Sequence, residues 1–147
     1  MITAKTYIKI NKKFVEFHDF NGKVQDPDYI EGAIELAVNG FAIIDRSMWD
    51  YVDQLWAYLT EGVVCVARGE DFKTFFPDQP IEMSFATQGD DVIMAVTVHE
   101  TVRVVIDRSE FISEMKNFAI DFFEDLKNKG DKFHANSNFY LNKLRSI

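Results

Sequence analysis

Cysteine is nearly absent from this chain: Cys65 is the only one in 147 residues. A lone thiol closes no internal disulfide, so no cross-linked framework holds the fold, and a reducing cytoplasm suits it. The roughly 18 successive apolar residues of a membrane span occur nowhere. The opening MITAKTYIKINKKF lacks the apolar stretch of a secretory signal. The chain therefore reads as soluble, cytoplasmic and unprocessed, with no membrane contact. Histidine is scarce too. His18, His99 and His134 do not fall at ligand spacing, which argues against structural zinc. Glycine-rich phosphate loops and a G-x-S-x-G elbow are missing, and the run DPD at 26–28 is too short to cage calcium or magnesium. No enzymatic activity, cofactor or metal is expected.

What the chain does have is apolar mass and acid. Hydrophobic residues make up 47% and include 14 phenylalanines, enough for a core and too many for a disordered chain. The length fits one domain of roughly 100–150 residues. Net charge is −8 and unevenly spread. Residues 1–23 carry five lysines against Glu16 and Asp19; residues 24–131 carry 22 acids against eight bases; residues 132–147 carry Lys132, Lys143 and Arg145 with no acid. An acidic body repels phosphate backbones, whose binding depends on basic side chains that displace counterions. Nucleic acid is thus an unfavourable partner despite the basic termini. The same field attracts a basic protein.

Periodicity outlines the fold. Residues 1–20 form an N-terminal hairpin in which YIKI and FVEF alternate around NKK. GKVQDPDY (22–29) is a loop by its glycine, proline and aspartate content. IELAV and FAIID flank Asn39-Gly40, a dipeptide that tolerates the positive φ of a type I′ hairpin turn. RSMWDYVDQLWAYLTEG (46–62) has helical spacing, with Met48, Trp49, Tyr51, Val52, Leu55, Trp56, Tyr58 and Leu59 on one side and Asp50, Gln54, Ala57 and Glu61 opposite. VVCVAR after it is strand or helix by pattern, with continuation of the helix favoured. IEMSFAT, VIMAVTVH and VRVVID then alternate as three antiparallel strands with one covered face. Asp107 and Glu110 have capping-box spacing and open a second helix to about Asn128. Its stripe is Phe111, Met115, Phe118, Phe122 and Leu126, with Ile112, Ala119 and Phe123, while Ile120 falls near the polar face. Gly130 stops it, and a short helix around NFYLNKL precedes the end of a basic C-terminal extension, 131–147. The expected class is α+β, with a mostly antiparallel sheet and two main helices in the order strands, helix, strands, helix.

Few residues offer chemistry. His99 falls at a hairpin turn, His18 and Asp19 point to opposite faces as strand neighbours, and Cys65 in VVCVA is expected to be buried and inert. Glu70-Asp71, Asp90-Asp91 and Glu124-Asp125 are adjacent carboxylates of the kind that usually solvate turns and helix ends. FFPDQP (75–80) is a stiff, non-helical connector, since proline fixes its own φ and pushes the preceding residue into an extended state. It is either a fold staple, in which Asp78 or Gln79 caps backbone groups, or a recognition loop offering both to a partner. The staple is favoured. Asp53 is placed to hydrogen-bond a loop amide or an indole N–H, which needs a partner when buried.

SMWDYVDQLWAYL (47–59) and FFPDQP together resemble a family of small bacterial proteins with an antiparallel sheet, a W-x-x-x-D-x-x-W helix and an F-P-D-Q-P loop before the next strand. The resemblance runs from about Tyr29 to Leu126 and is carried by Trp49, Asp53, Gln54, Trp56 and residues 76–80. It implies no enzymatic role. The type is similar to the immunity proteins encoded beside toxins of contact-dependent or polymorphic systems. Such a protein would occlude a cognate toxin domain, with a basic nuclease the natural match to an acidic surface. The contact acids expected on this basis are Asp50, Asp53 and Glu61 on the first helix, Glu70 and Asp71, Asp78 in the proline loop, and Asp90 and Asp91. A small-ligand-binding or enzymatic domain is the alternative, with Trp49, Tyr51, Trp56 and Phe76 lining its pocket. Monomer and weak dimer both remain open.

Overall fold

The computed structural model describes residues 1–147 and shows an α+β fold built from two antiparallel sheets and three helices. The first sheet has the order β2 (Lys13–Glu16), β1 (Ile2–Ile10), β3 (Glu31–Val38), β4 (Phe41–Ile44). The two-residue strand β5 (Asp50–Tyr51) also pairs with β3, at Glu31 and Gly32. The β1–β2 turn places Asn11 and Lys12 at φ 48° and 67°, and the β3–β4 turn places Asn39 and Gly40 at φ 49° and 82°. Both central residues are positive in each case, the type I′ geometry whose twist matches a hairpin.

The second sheet is a meander of β6 (Phe72–Phe75), β7 (Glu82–Gln88), β8 (Asp91–Thr97) and β9 (Thr101–Asp107). Strict alternation buries Met83, Phe85, Val92, Met94, Val96 and Ile106 on the side facing the helices, as period-2 side chains require. Strand β6 was not expected. FKTFF alternates poorly, but Phe72 pairs with Phe85 and Phe75 with Glu82, so FPDQP joins two strands of a hairpin rather than a helix to a strand.

Helix α1 (Val52–Ala67) is the central element. It buries ten residues over more than half its circumference, as a helix packed on several sides must. Its start differs from expectation. Residues 46–48 form a single 3₁₀ turn capped by Asp45, Trp49 is extended, and the helix begins only at Val52. Pairing of Asp50 and Tyr51 with β3 outweighs the helical spacing of Met48–Tyr51. The far end runs on as favoured. Gly62 is interior, where the rings of Phe85 and Phe72 lie too close for a Cβ. The true stop is Gly69 at φ 77°. Glu70 N–H reaches the Cys65 carbonyl and Gly69 N–H that of Val66, both at 2.9 Å, which is a Schellman ending.

Helix α2 (Arg108–Lys127) is capped by Asp107, which accepts from Glu110 N–H at 3.0 Å. Helix α3 (His134–Arg145) packs on α1 and α2, so the basic C-terminal stretch is part of the packed body. Lys143 meets Glu61 at 2.6 Å and Arg145 meets Glu124. The terminal bases thus neutralise acids of the same chain. Ile120 is half-buried against the core rather than freely exposed. A continuous cluster of 34 buried apolar residues joins both sheets and all three helices.

Candidate functional site

The proline loop is held by a residue expected to be on the surface. Asp50 is 2% exposed. It is not on the outer face of a helix; it sits in β5, between Trp49 and Tyr51, and its side chain points inward. Its carboxylate accepts from Tyr51 N–H at 2.7 Å, from Asp78 N–H at 3.1 Å and from Gln79 N–H at 2.9 Å. Pro77 and Pro80 carry no N–H, so Asp78 and Gln79 hold the adjacent amides of the P-D-Q-P turn, and one buried acceptor satisfies both. The Gln79 side-chain amide donates back to the Trp49 carbonyl. FPDQP is therefore a staple: Gln79 caps a backbone carbonyl as expected, and the loop also supplies backbone donors to an acceptor that was not expected, Asp50.

This staple determines what lies outside. Along an extended segment successive side chains alternate, so burying Asp50 turns Trp49 and Tyr51 outward together. Trp49 is 37% exposed and the adjoining Tyr29 56%, and the rings of Tyr29 and Tyr51 lie 5.2 Å apart. The Lys9 ammonium sits 3.6 Å over the Trp49 ring and 3.7 Å from Glu31. The Tyr51 hydroxyl is held above its ordinary pKa by desolvation first, then by the charges of Asp78, Glu31 and Asp50. The result is a rigid aromatic platform, Tyr29, Trp49 and Tyr51, rimmed by Glu31 and Asp78.

The remaining acids named from the sequence do not converge on it. Glu70, Asp71, Asp90 and Asp91 lie at the opposite end of the second sheet, where Asp71 accepts from Thr87 N–H at 2.9 Å and Asp91 faces Gln88 across the turn. Glu61 is paired with Lys143. Asp53 lies behind the platform, where one carboxylate oxygen is buried without a partner. It does not serve an indole: Trp56 donates to the Thr6 hydroxyl at 2.9 Å. The aromatic pocket of the ligand-binding alternative is not formed. Trp56 and Phe76 are buried while Trp49 and Tyr51 lie at the surface, so the four do not line one pocket.

A cleft of about 520 Å³ between the N-terminal hairpin and α2 escaped sequence reasoning. Phe17, Trp56 and Phe122 line it, and Glu16, His18 and Asp125 stand among them. His18 pairs with Asp125 at 3.0 Å, not with its neighbour Asp19. No local pattern signals a partner 107 positions away. Hydrogen bonding to Asp125, then its charge, raises the His18 pKa. Asp125→Asn is expected to move the His18 titration midpoint down toward 6.5, read from imidazole proton shifts. An unmoved midpoint rules out the pair in solution. Cys65 is half-buried, and burial, followed by Glu70 and Glu61, pushes its thiol pKa up, the wrong direction for a nucleophile. No three His, Cys, Asp or Glu side chains cluster to hold a metal, and no helix is long and apolar enough to cross a membrane. Compared with family models, curated proteins and solved structures, the chain matches none.

Proposed function

We propose that this chain is a cytoplasmic immunity protein, a binding module that neutralises a basic toxin domain, such as a nuclease, by occluding it. The observation that carries this reading is the platform. Interface energy concentrates in a few tryptophan, tyrosine and arginine anchors; exposed Trp49 and half-buried Tyr51 flank the stapled Asp50, and exposed Tyr29 packs on Tyr51. A rigid anchor loses less side-chain freedom on binding than a mobile one. Asp78 at its rim, within a body of net charge −8, favours approach by a cationic surface, while Glu31 is paired with Lys9.

The test is co-expression with the C-terminal domain of the reading frame encoded immediately upstream, followed by co-elution and rescue of growth. Trp49→Ala with Tyr51→Ala is expected to weaken the complex at least tenfold while thermal stability changes little, because neither ring is in the core. Raised salt slows association. Full affinity in the double variant removes the platform from the interface, and absence of any complex or rescue removes the function. The ligand-binding alternative retains one observation, the cleft beside His18. A metabolite-specific rise in melting temperature that Phe17→Ala abolishes would favour it.

A further inference from the structure

We propose that the open edge of β9 pairs antiparallel with β9 of a second copy, centred on Val105, and joins two second sheets into one across a two-fold axis. The two sheets of the chain end in four edge strands, β2, β4, β6 and β9. An unpaired edge invites strand addition, and shortness is one protection against it. β2, β4 and β6 are each four residues long. β9 has seven, and neither lysine nor proline interrupts it. β4 touches β8 as well as β9, so it lies over their inner face and leaves the edge of β9 clear.

The β8–β9 register decides which backbone groups face outward. Antiparallel partners alternate between pairs that exchange backbone hydrogen bonds and pairs that exchange none. Arg108 N–H donates to the Asp90 carbonyl at 2.7 Å, and Val98 N–H to that of Glu100 at 3.4 Å. With Asp91 set opposite Asp107, both bonds put Val102, Val104 and Ile106 among the pairs bonded to β8. Thr101, Arg103, Val105 and Asp107 therefore turn N–H and C=O away from the sheet. No backbone hydrogen bond from a turn or loop reaches residues 101–107.

Side chains on the same edge say what fits there. Arg103, Val105 and Asp107 share the outer face of the sheet by alternation and read cation, apolar, anion. A second β9 running antiparallel about Val105 sets each Arg103 opposite Asp107 of the other copy and brings the two Val105 side chains together. Opposite charges directly across a strand pair are stabilising. Arg103 is exposed, faces Ala95 on β8 and makes no ion pair. Asp107 gives one oxygen to the α2 cap and stands across from Asp91, so an incoming guanidinium meets two carboxylates. Val105, at the centre, is 59% exposed. The pattern is its own complement, which selects a second copy over an unrelated strand. The proline loop joins β6 to β7 at the far edge of the sheet, so pairing through β9 leaves the aromatic platform open.

The experiment is sedimentation velocity of the full-length protein from micromolar to millimolar concentration, with amide hydrogen exchange at both extremes. A single strand edge buries little area, so the dimer should be half-formed on the order of 100 μM. Expected is protection of amides 103, 105 and 107 that rises with concentration, while 102, 104 and 106 are protected throughout. Val105→Pro removes an outward N–H and none of the β8 ladder, so it should fold and stay monomeric. Arg103→Glu should weaken association at least tenfold. In a Cys65→Ser background, Val105→Cys should cross-link to itself on oxidation. Arg103→Cys should not, because this register holds the two copies of position 103 beyond disulfide reach. The proposal is overturned by a monomer at every concentration, by a dimer that Val105→Pro and Arg103→Glu leave intact, or by equal cross-linking at 103. It is also overturned if the chain alone is monomeric and the three amides gain protection only in the co-expressed complex, because the added strand is then the toxin's.

Discussion

Asp50→Ala is expected to destabilise the protein by about 3 kcal/mol, the sum of what several orphaned backbone donors cost when a shared acceptor is removed. Three amides lose their partner: Tyr51, Asp78 and Gln79. The two prolines do not let the loop re-form as a conventional turn around them, since their φ angles are fixed. Asp50→Asn keeps the size but replaces one acceptor oxygen with an amide that faces donors, so it should recover less than half of the loss. Denaturant unfolding gives the free energy, and hydrogen exchange at Asp78 and Gln79 gives its location. A loss below about 0.5 kcal/mol, or unchanged protection at those two amides, would show that the staple does not hold the loop. A structural consequence follows for binding: loosening Asp50 frees Trp49 and Tyr51, so affinity for a platform partner should fall even though Asp50 itself is buried.

This residue also shows where the sequence was legible. The hairpins at Asn11-Lys12 and Asn39-Gly40, the three strands from Ile81 to Asp107, and α2 with its Asp107 cap all rest on local chemistry, and local patterns found them. Trp49 and Tyr51 defeated that reasoning because residues two apart satisfy both a broad helical stripe and strand alternation. The tie was broken by pairing with Glu31 and Gly32, about 20 positions back. Burial of an acid has no sequence mark either. Asp50 looks like any surface aspartate until the proline loop, 28 residues on, turns its amides toward it. The staple reading of FPDQP was within reach because proline restricts the backbone whatever surrounds it. Its acceptor was not.

Charge was legible in amount but not in arrangement. Basic ends around an acidic centre suggest a segregated surface, yet Lys143 and Arg145 return to Glu61 and Glu124 through α3. The acids left open are therefore fewer than composition suggests, and they are dispersed. Asp78 is one, at the platform rim, where Glu31 is paired with Lys9. Glu70, Asp71, Asp90 and Asp91 are others, at one end of the second sheet, where Asp107 stands directly across from Asp91. Like charges facing across a strand pair are unfavourable, so a cationic partner would relieve that end as well as the rim.

Asp53→Asn should act in the opposite direction from Asp50→Ala and stabilise the free protein at neutral pH. Burial raises the Asp53 pKa from its ordinary 3.8 to about 6. The native state therefore holds this proton more tightly than the unfolded chain does, and stability falls as pH rises between those values. Below about pH 4 the group is protonated in both states and carries no penalty. Above about pH 6 it is ionised in both, and the native state bears the full cost. The rise corresponds to roughly 3 kcal/mol, and solvent reaching the other oxygen brings the expected gain of Asp53→Asn nearer 2 kcal/mol at pH 7. The variant's advantage should grow from near zero at pH 4 to that value at pH 7, measured by urea unfolding at several pH values in amine-free buffer. A gain that does not change with pH would mean the asparagine acts through packing or helix propensity instead. A loss would mean that the carboxylate is needed, charged, by the helix N-terminus it occupies.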